Sequence, residues 1–328
     1  MVGPPPATWA VDADAARAFE LTPGLWQLRL PAPWHHLTHV NAYALDHPDG
    51  DGIVLIDCGC AGHPTTWDAF ERALERAGRR VEDVRDLVIT HYHTDHMGSA
   101  RAVAWASGCT IHGHPDTRHL LEAVERPDDV YAERFAFARA EGVPEHWHDA
   151  VATVGEELQG AEDPPPPDRP LREGATVAGL QVIETPGHAP THVCLYDPAR
   201  RLLFAGDLLT TLFTTYGDWG YSPDPTGEFR ASVEAVAGVD AALVLLGHGR
   251  PNQDLPGLVE IYREGFAARF AAVEAALPGT AWEVALQVFG ASEHDSAMVW
   301  NLYEAWGYLN HLVLSGRVAR DGSRYIAV

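Results

Sequence analysis

From Leu87 to Gly98 the sequence reads Leu-Val-Ile-Thr-His-Tyr-His-Thr-Asp-His-Met-Gly, and this stretch limits what the rest of the chain can be. Leu87 to Thr90 are apolar or β-branched and read as a short buried strand. His91, His93, Asp95 and His96 follow at once. A strand running into a ligand-dense loop delivers side chains to one point at the edge of a sheet. His91 and His93, two apart in an extended segment, project to the same side, so both imidazoles reach one cation. Asp95 and His96 come after the chain has turned and face a second position close by. Imidazole with carboxylate suits zinc, and also iron or manganese.

Four further residues of the same chemical kind stand just after apolar runs. Asp57 closes Ile53-Val54-Leu55-Ile56, and His188 ends Thr185-Pro186-Gly187-His188. Asp207 ends Phe204-Ala205-Gly206-Asp207, and His248 lies in Leu246-Gly247-His248-Gly249. Residues 91–96 fit the pattern H-x-H-x-D-H, the signature of the metallo-β-lactamase superfamily. With Asp57, His188, Asp207 and His248 in the family's motif order, the chain resembles that superfamily over most of its length.

The resemblance implies an α/β fold, an αββα sandwich of two mixed sheets covered by helices. It implies one metal held by His91, His93 and His188, and a second held by Asp95, His96 and His248, with Asp207 bridging. Zinc is the expected ion, two per chain, with iron or manganese as the other candidates. A carboxylate spans two cations where a neutral imidazole cannot, and two negative charges partly neutralise a site of formal charge about +4. The expected reaction is attack by a metal-bridging hydroxide on a small ester, thioester or lactone carbonyl. Asp95, beside the nucleophile, is expected to pass the proton to the leaving group. Asp57 is expected to orient a ligand imidazole through its free N–H. The other classes of this fold are an iron-dependent oxidoreductase and a metallo-nuclease.

Two departures bear on substrate. Lactonases of the superfamily place a tyrosine soon after the bridging aspartate; here Leu208, Leu209 and Thr210 follow Asp207, and Tyr216 is the nearest tyrosine. Hydroxyacylglutathione hydrolases hold glutathione with basic C-terminal side chains, whereas this chain has no lysine at all.

Charge narrows the partners. The chain of 328 residues carries 46 acidic and 23 basic side chains, a formal charge of −23, which argues against nucleic acid or an anionic membrane surface. Nothing approaches a membrane span, and the first residues have neither a basic nor an apolar leader region, so a cytoplasmic location is expected. Four cysteines (Cys58, Cys60, Cys109, Cys194) read as reduced thiols rather than a disulfide scaffold.

Residues 1–254 are expected to form the catalytic domain, with a helical insertion at about 114–160 walling the cleft and a proline-rich linker at 162–170. In that region His112, His114, His119, His146 and His148 read as surface or capping histidines. The loop 31–39, with Trp34 and His35, reads either as a substrate-contacting loop or as an ordinary hairpin connection. Trp34, Phe213, Tyr216, Trp219 and Tyr221 line an acyl pocket or belong to the core. Residues 255–328 read as three helices and a hairpin turned at Asp321-Gly322, similar to the winged-helix appendage of some superfamily hydrolases. Their aromatics, among them Trp282, Trp300, Trp306 and Tyr308, predict packing beside the cleft or against a second copy of the chain.

Overall fold

The computed structural model describes residues 10–34, 37–153, 164–292 and 295–328. His35 and the end of the expected insertion, with the start of the proline-rich linker, lie outside the described residues.

The chain opens with a meander of β1 (Arg17–Thr22), β2 (Leu25–Pro31), β3 (His39–Asp46) and β4 (Ile53–Ile56). Helix α1 (Pro64–Arg76), β5 (Val84–Val88), the short α2 (Thr94–Met97), α3 (Ala100–Ser107) and β6 (Thr110–Gly113) follow. Next come α4 (Arg118–Glu125), α5 (Pro127–Ala140) and α6 (His148–Ala152). The chain returns to sheet in β7 (Arg169–Pro170), β8 (Thr176–Val177), β9 (Leu180–Glu184), β10 (Val193–Asp197) and β11 (Leu202–Gly206). It continues through α7 (Pro225–Ala237), β12 (Leu243–Leu246), α8 (Leu255–Ala275), α9 (Ala281–Phe289) and α10 (Asp295–Leu314), and closes with the hairpin β13 (Val318–Asp321) and β14 (Arg324–Ala327).

Strands β1 to β7 form one sheet in sequence order, and β12-β11-β10-β9-β8 form the second. Alternation along the strands sorts side chains into three apolar layers. Val54 and Ile56 on β4 meet Val193 and Leu195 on β10, Phe204 on β11 and Leu245 on β12 between the sheets. Leu55, one residue out of phase, turns the other way, onto Phe70 and Leu74 of α1 and Val103 of α3. Cys194, Leu203, Ala205 and Leu246 turn outward from the second sheet onto Phe229 of α7, Tyr262 of α8 and Tyr308 of α10. The result is the expected αββα sandwich.

That third layer runs without a break into the C-terminal elements: Trp282 of α9, Leu302 of α10, Val318 of β13 and Tyr325 of β14 share it with the second sheet. It also takes in Phe137 of α5 and Val151 of α6. Tyr325 donates to Glu141 after α5 at 2.9 Å, and Arg320 pairs with the same carboxylate at 2.8 Å. The C-terminal helices therefore stand on the outer face of the second sheet, beside the cleft.

Helix starts follow side-chain chemistry. Thr280 and Glu283 make a reciprocal cap at α9, and Asp224 caps α7. At α1 the cap is His63, whose Nδ1 accepts from the Thr65 N–H, and Pro64 at the first helical position sets this start.

Candidate metal centre

The parallel pairs β4/β5 and β11/β12 end at one edge of the sandwich. Asp57 directly follows β4, the His91 stretch follows β5, Asp207 follows β11 and His248 lies two residues past β12. Two backbone bonds stitch the sheets together there: Val193 N–H to Thr90 O at 2.8 Å and Asn41 N–H to Gly247 O at 2.8 Å. Side chains distant in sequence are thus delivered to one place by the closing of the sandwich.

His91, His93 and His188 converge: His93 Nδ1 stands 3.1 Å from His91 Nε2 and 2.9 Å from His188 Nε2. Asp95, His96 and His248 form a second group, with Asp95 Oδ2 3.6 Å from His96 Nε2 and 3.3 Å from His248 Nε2. Asp207 lies between them. Its Oδ2 is 3.6 Å from His188 Nε2 and 3.1 Å from His248 Nε2, and its Oδ1 is 3.4 Å from His96 Nε2. Gly247 leaves room for this carboxylate, since a Cβ there would come within 2.0 Å of Asp207 Oδ1.

The donor set fits divalent cations on two counts. Asp95 Oδ2, His96 Nε2 and Asp207 Oδ1 are buried with no hydrogen-bond partner among the described residues, a cost of about 1–3 kcal/mol each unless something else satisfies them. Hydrogen bonds on the far nitrogens also aim lone pairs inward. Asp57 Oδ2 accepts from His96 Nδ1 at 2.8 Å, and Asp218 Oδ2 from His93 Nε2 at 2.8 Å. The carbonyl of His39 accepts from His248 Nδ1 at 2.9 Å. Thr90 Oγ1 gives its proton to Asp57 at 2.8 Å, so it accepts from His91 Nδ1 at 3.0 Å. Each arrangement places the N–H outside and the lone pair toward the cluster.

Burial works to raise both carboxylates, but the facing imidazoles of His248 and His96 hold Asp207 well below the usual range. Asp95, with burial opposed by His96 and His248, is brought down to about 2. Burial, reinforced by the neighbouring His93, lowers His188 to about 4, and burial also holds His91 neutral. Against burial, which lowers them, facing carboxylates raise the other three rings, Asp218 acting on His93 and Asp207 on His96 and on His248, the last to about 10, so a cation entering here displaces protons from those imidazoles.

Asp57 sits at φ 58°, a left-handed conformation that aspartate tolerates better than most residues. That turn aims its carboxylate back at Thr90 N–H, at 2.8 Å, and at His96.

Supporting residues appear that no local motif announces. Asp218 accepts from His93, from His119 Nε2 at 2.7 Å and from Tyr216 Oη at 2.9 Å. His119, on α4, is therefore neither a surface nor a capping histidine: its side chain is 7% exposed and tied to the carboxylate that also holds His93. His114 and His148 do make local bonds, to the Asp116 N–H and the Val143 carbonyl. His192 Nε2 accepts from the Asp207 N–H at 3.1 Å, while its Nδ1 bonds Thr185 Oγ1 at 2.8 Å. Its only signal in the sequence is its place four residues after His188.

Above the cluster lies a cavity of about 340 Å³. Trp34 and Leu37 from the loop after β2, Tyr216, and Trp300, Asn301 and Glu304 of α10 line it. Of the five aromatics expected at a pocket or in the core, Trp34 and Tyr216 face the cavity. Phe213 and Trp219 pack on the third apolar layer, and Tyr221 lies edge-on to His119 at 4.9 Å. Among the described residues no helix is long and apolar enough to cross a membrane.

Fold and donor set together define a metallo-β-lactamase-type centre. The chain belongs to the metallo-beta-lactamase superfamily, whose model matches residues 37–248, from the loop before β3 to the last expected ligand. It is 25% identical over 303 residues to "Probable metallo-hydrolase YqjP" of Bacillus subtilis (strain 168), covering 87% of this chain and 91% of that protein. A hydroxyacylglutathione hydrolase of Rhizobium meliloti (strain 1021) is 28% identical over 166 residues, 50% of this chain and 49% of the relative, so the chain spans about half of that protein. The crystal structure of a metallo-beta-lactamase family protein from Thermus thermophilus superposes with a TM-score of 0.79 at 28% identity, over 94% of this chain and 100% of that one. A beta-lactamase domain protein from Burkholderia ambifaria superposes with a TM-score of 0.77 at 26% identity, over 95% and 93%. Both span the C-terminal helices as well as the sandwich.

Proposed function

We propose that the protein is a dinuclear metal-dependent hydrolase of a small ester, thioester or lactone. The observation that carries this reading is the place of Asp207, with oxygens facing both histidine groups at 3.1 to 3.6 Å. His91, His93 and His188 would hold one ion, Asp95, His96 and His248 the other, and Asp207 both. Five imidazoles with two carboxylates suit zinc, then iron or manganese. Bound there, a pair of divalent cations supplies a water of lowered pKa and a Lewis acid for a carbonyl oxygen.

The chain's own residues do the rest. Asp95 lines the cleft beside the cluster and is placed to carry a proton to the leaving group. Asp57 holds His96, and Asp218 holds His93, so that neither ring turns when substrate enters. Trp34, Leu37 and Trp300 give the cleft an apolar wall. The named metallo-hydrolase and hydroxyacylglutathione hydrolase relatives support a hydrolase acting on a small molecule. The charge of −23 weighs against a nucleic-acid substrate.

The test is a screen of 4-nitrophenyl esters, acyl-thioesters and lactones on metal-loaded protein. Turnover that a chelator abolishes and added metal restores supports the reading. Inertness toward all three classes, with nuclease or redox activity in their place, overturns it.

A further inference from the structure

Asp218 holds His93, yet the segment that carries it, residues 211–224, takes neither helix nor strand. No backbone ladder fixes where this carboxylate stands, so side-chain ties to the surrounding scaffold must do so. Both ends of the segment are tied to one helix, α10. At the near end Thr215 Oγ1 donates to Glu304 Oε1 at 2.7 Å and, with its one proton given there, accepts from Tyr308 Oη at 3.0 Å. At the far end Asn310 Nδ2 donates to the Pro223 carbonyl at 2.7 Å, and His311 Nδ1 lies 2.9 Å from Asp224 Oδ2. Thr215 and Tyr308 are buried. Glu304 is held in turn by Arg269 of α8, whose guanidinium stands over the Phe289 ring of α9 at 4.2 Å. Between the tied ends the backbone is closely seated: a Cβ on Gly217 would come within 2.9 Å of the Gly187 carbonyl oxygen, beside His188.

Resting on the two-ion reading above, we infer that Thr215 and Glu304 are positioning residues: through the segment between β11 and α7 they set where Asp218 stands, and so how tightly the ion of His91, His93 and His188 is held. Asp218 reaches His93 at 2.8 Å and is braced by Tyr216 at 2.9 Å. A shift of the segment by about 0.5 Å therefore spoils the contact that selects the His93 tautomer. The tie that prevents the shift is charge-assisted and buried, which makes it stronger than a contact between neutral groups. Without it the segment samples other positions in the metal-free protein, and metal binding has to restore the one that serves His93. The second group is held differently: His96 by Asp57, and His248 by the His39 carbonyl. The C-terminal helices thus do more than wall the cleft, because they steady one of its two metal positions and not the other.

The experiment is chelator competition on the full chain loaded with zinc, in the wild type, Thr215→Val, Thr215→Ser, Asp218→Ala and the double variant of Thr215→Val with Asp218→Ala. Thr215→Val keeps the shape and removes the hydroxyl. It should weaken one equivalent by about tenfold, the same one that Asp218→Ala weakens, and leave the other unchanged. Thr215→Ser keeps the hydroxyl and should bind as the wild type does. In the double variant Thr215→Val should add nothing to the loss from Asp218→Ala, since it acts through that carboxylate, whereas a general loosening of the fold would add its own cost. Asn310→Ala, at the other end of the segment, should weaken the same equivalent, which keeps the test open if Thr215→Val folds poorly. Both equivalents unchanged in the folded variants, or losses that add in full, overturn the inference and leave the two-ion reading standing. A wild type that holds fewer than two ions removes that reading and the inference with it.

Discussion

Asp218 Oδ2 lies 2.8 Å from His93 Nε2, on the side of the ring turned away from the other expected ligands. The two residues are 125 positions apart, and the same carboxylate also takes His119 and Tyr216. This contact fixes which nitrogen of His93 carries the proton. Asp218→Ala should therefore loosen one metal position selectively, by about 10–100-fold in affinity. Competition against a graded chelator should find one weakened equivalent and one unchanged. Two unchanged equivalents would show that His93 needs no such partner.

Asp57→Asn keeps a residue that tolerates the left-handed backbone but loses an acceptor that serves Thr90 N–H, Thr90 Oγ1 and His96 Nδ1 together. At least one buried donor is left without an acceptor, so the folded state should lose about 1–3 kcal/mol. Denaturant unfolding of the metal-free protein reads this directly. An unchanged midpoint would mean that the Asp57 bonds contribute nothing to stability.

Asp207→Asn removes the charge shared by the two groups. Turnover should fall by about three orders of magnitude or more, with the fold retained, since the sandwich layers do not depend on this side chain. Near-normal turnover of a folded variant would rule out a bridging role.

Much of this arrangement was legible in the sequence, because the expected ligands follow apolar runs that must be strands. Asp57, His91, His93, Asp95, His96, His188, Asp207 and His248 all come to one edge for that reason. What holds the ligands was mostly illegible. Asp218 sits in an irregular segment between β11 and α7 and His119 on α4, and only the closing of the chain brings both to His93. Glu304 was equally hidden: its helical period marks it as one residue on a helix, and nothing local says that this turn of α10 faces the cleft.

The shared apolar layer bears on the C-terminal helices. Leu255, Tyr262, Trp282, Leu302 and Tyr308 pack against the outer face of the second sheet. Ending the chain at residue 254 would uncover Cys194, Leu203, Ala205 and Leu246, a contiguous apolar face. The truncated protein should aggregate or change its assembly on a sizing column, and it should lose the cleft wall made by Trp300 and Glu304. A soluble truncation with unaltered assembly and turnover would contradict this account of the packing.

Elemental analysis of protein purified without chelator counts the ions that Asp207 would share. The geometry predicts close to two equivalents of divalent metal per chain, falling toward one in Asp207→Asn. A firm stoichiometry of one in the wild type, unmoved by added metal, would contradict it.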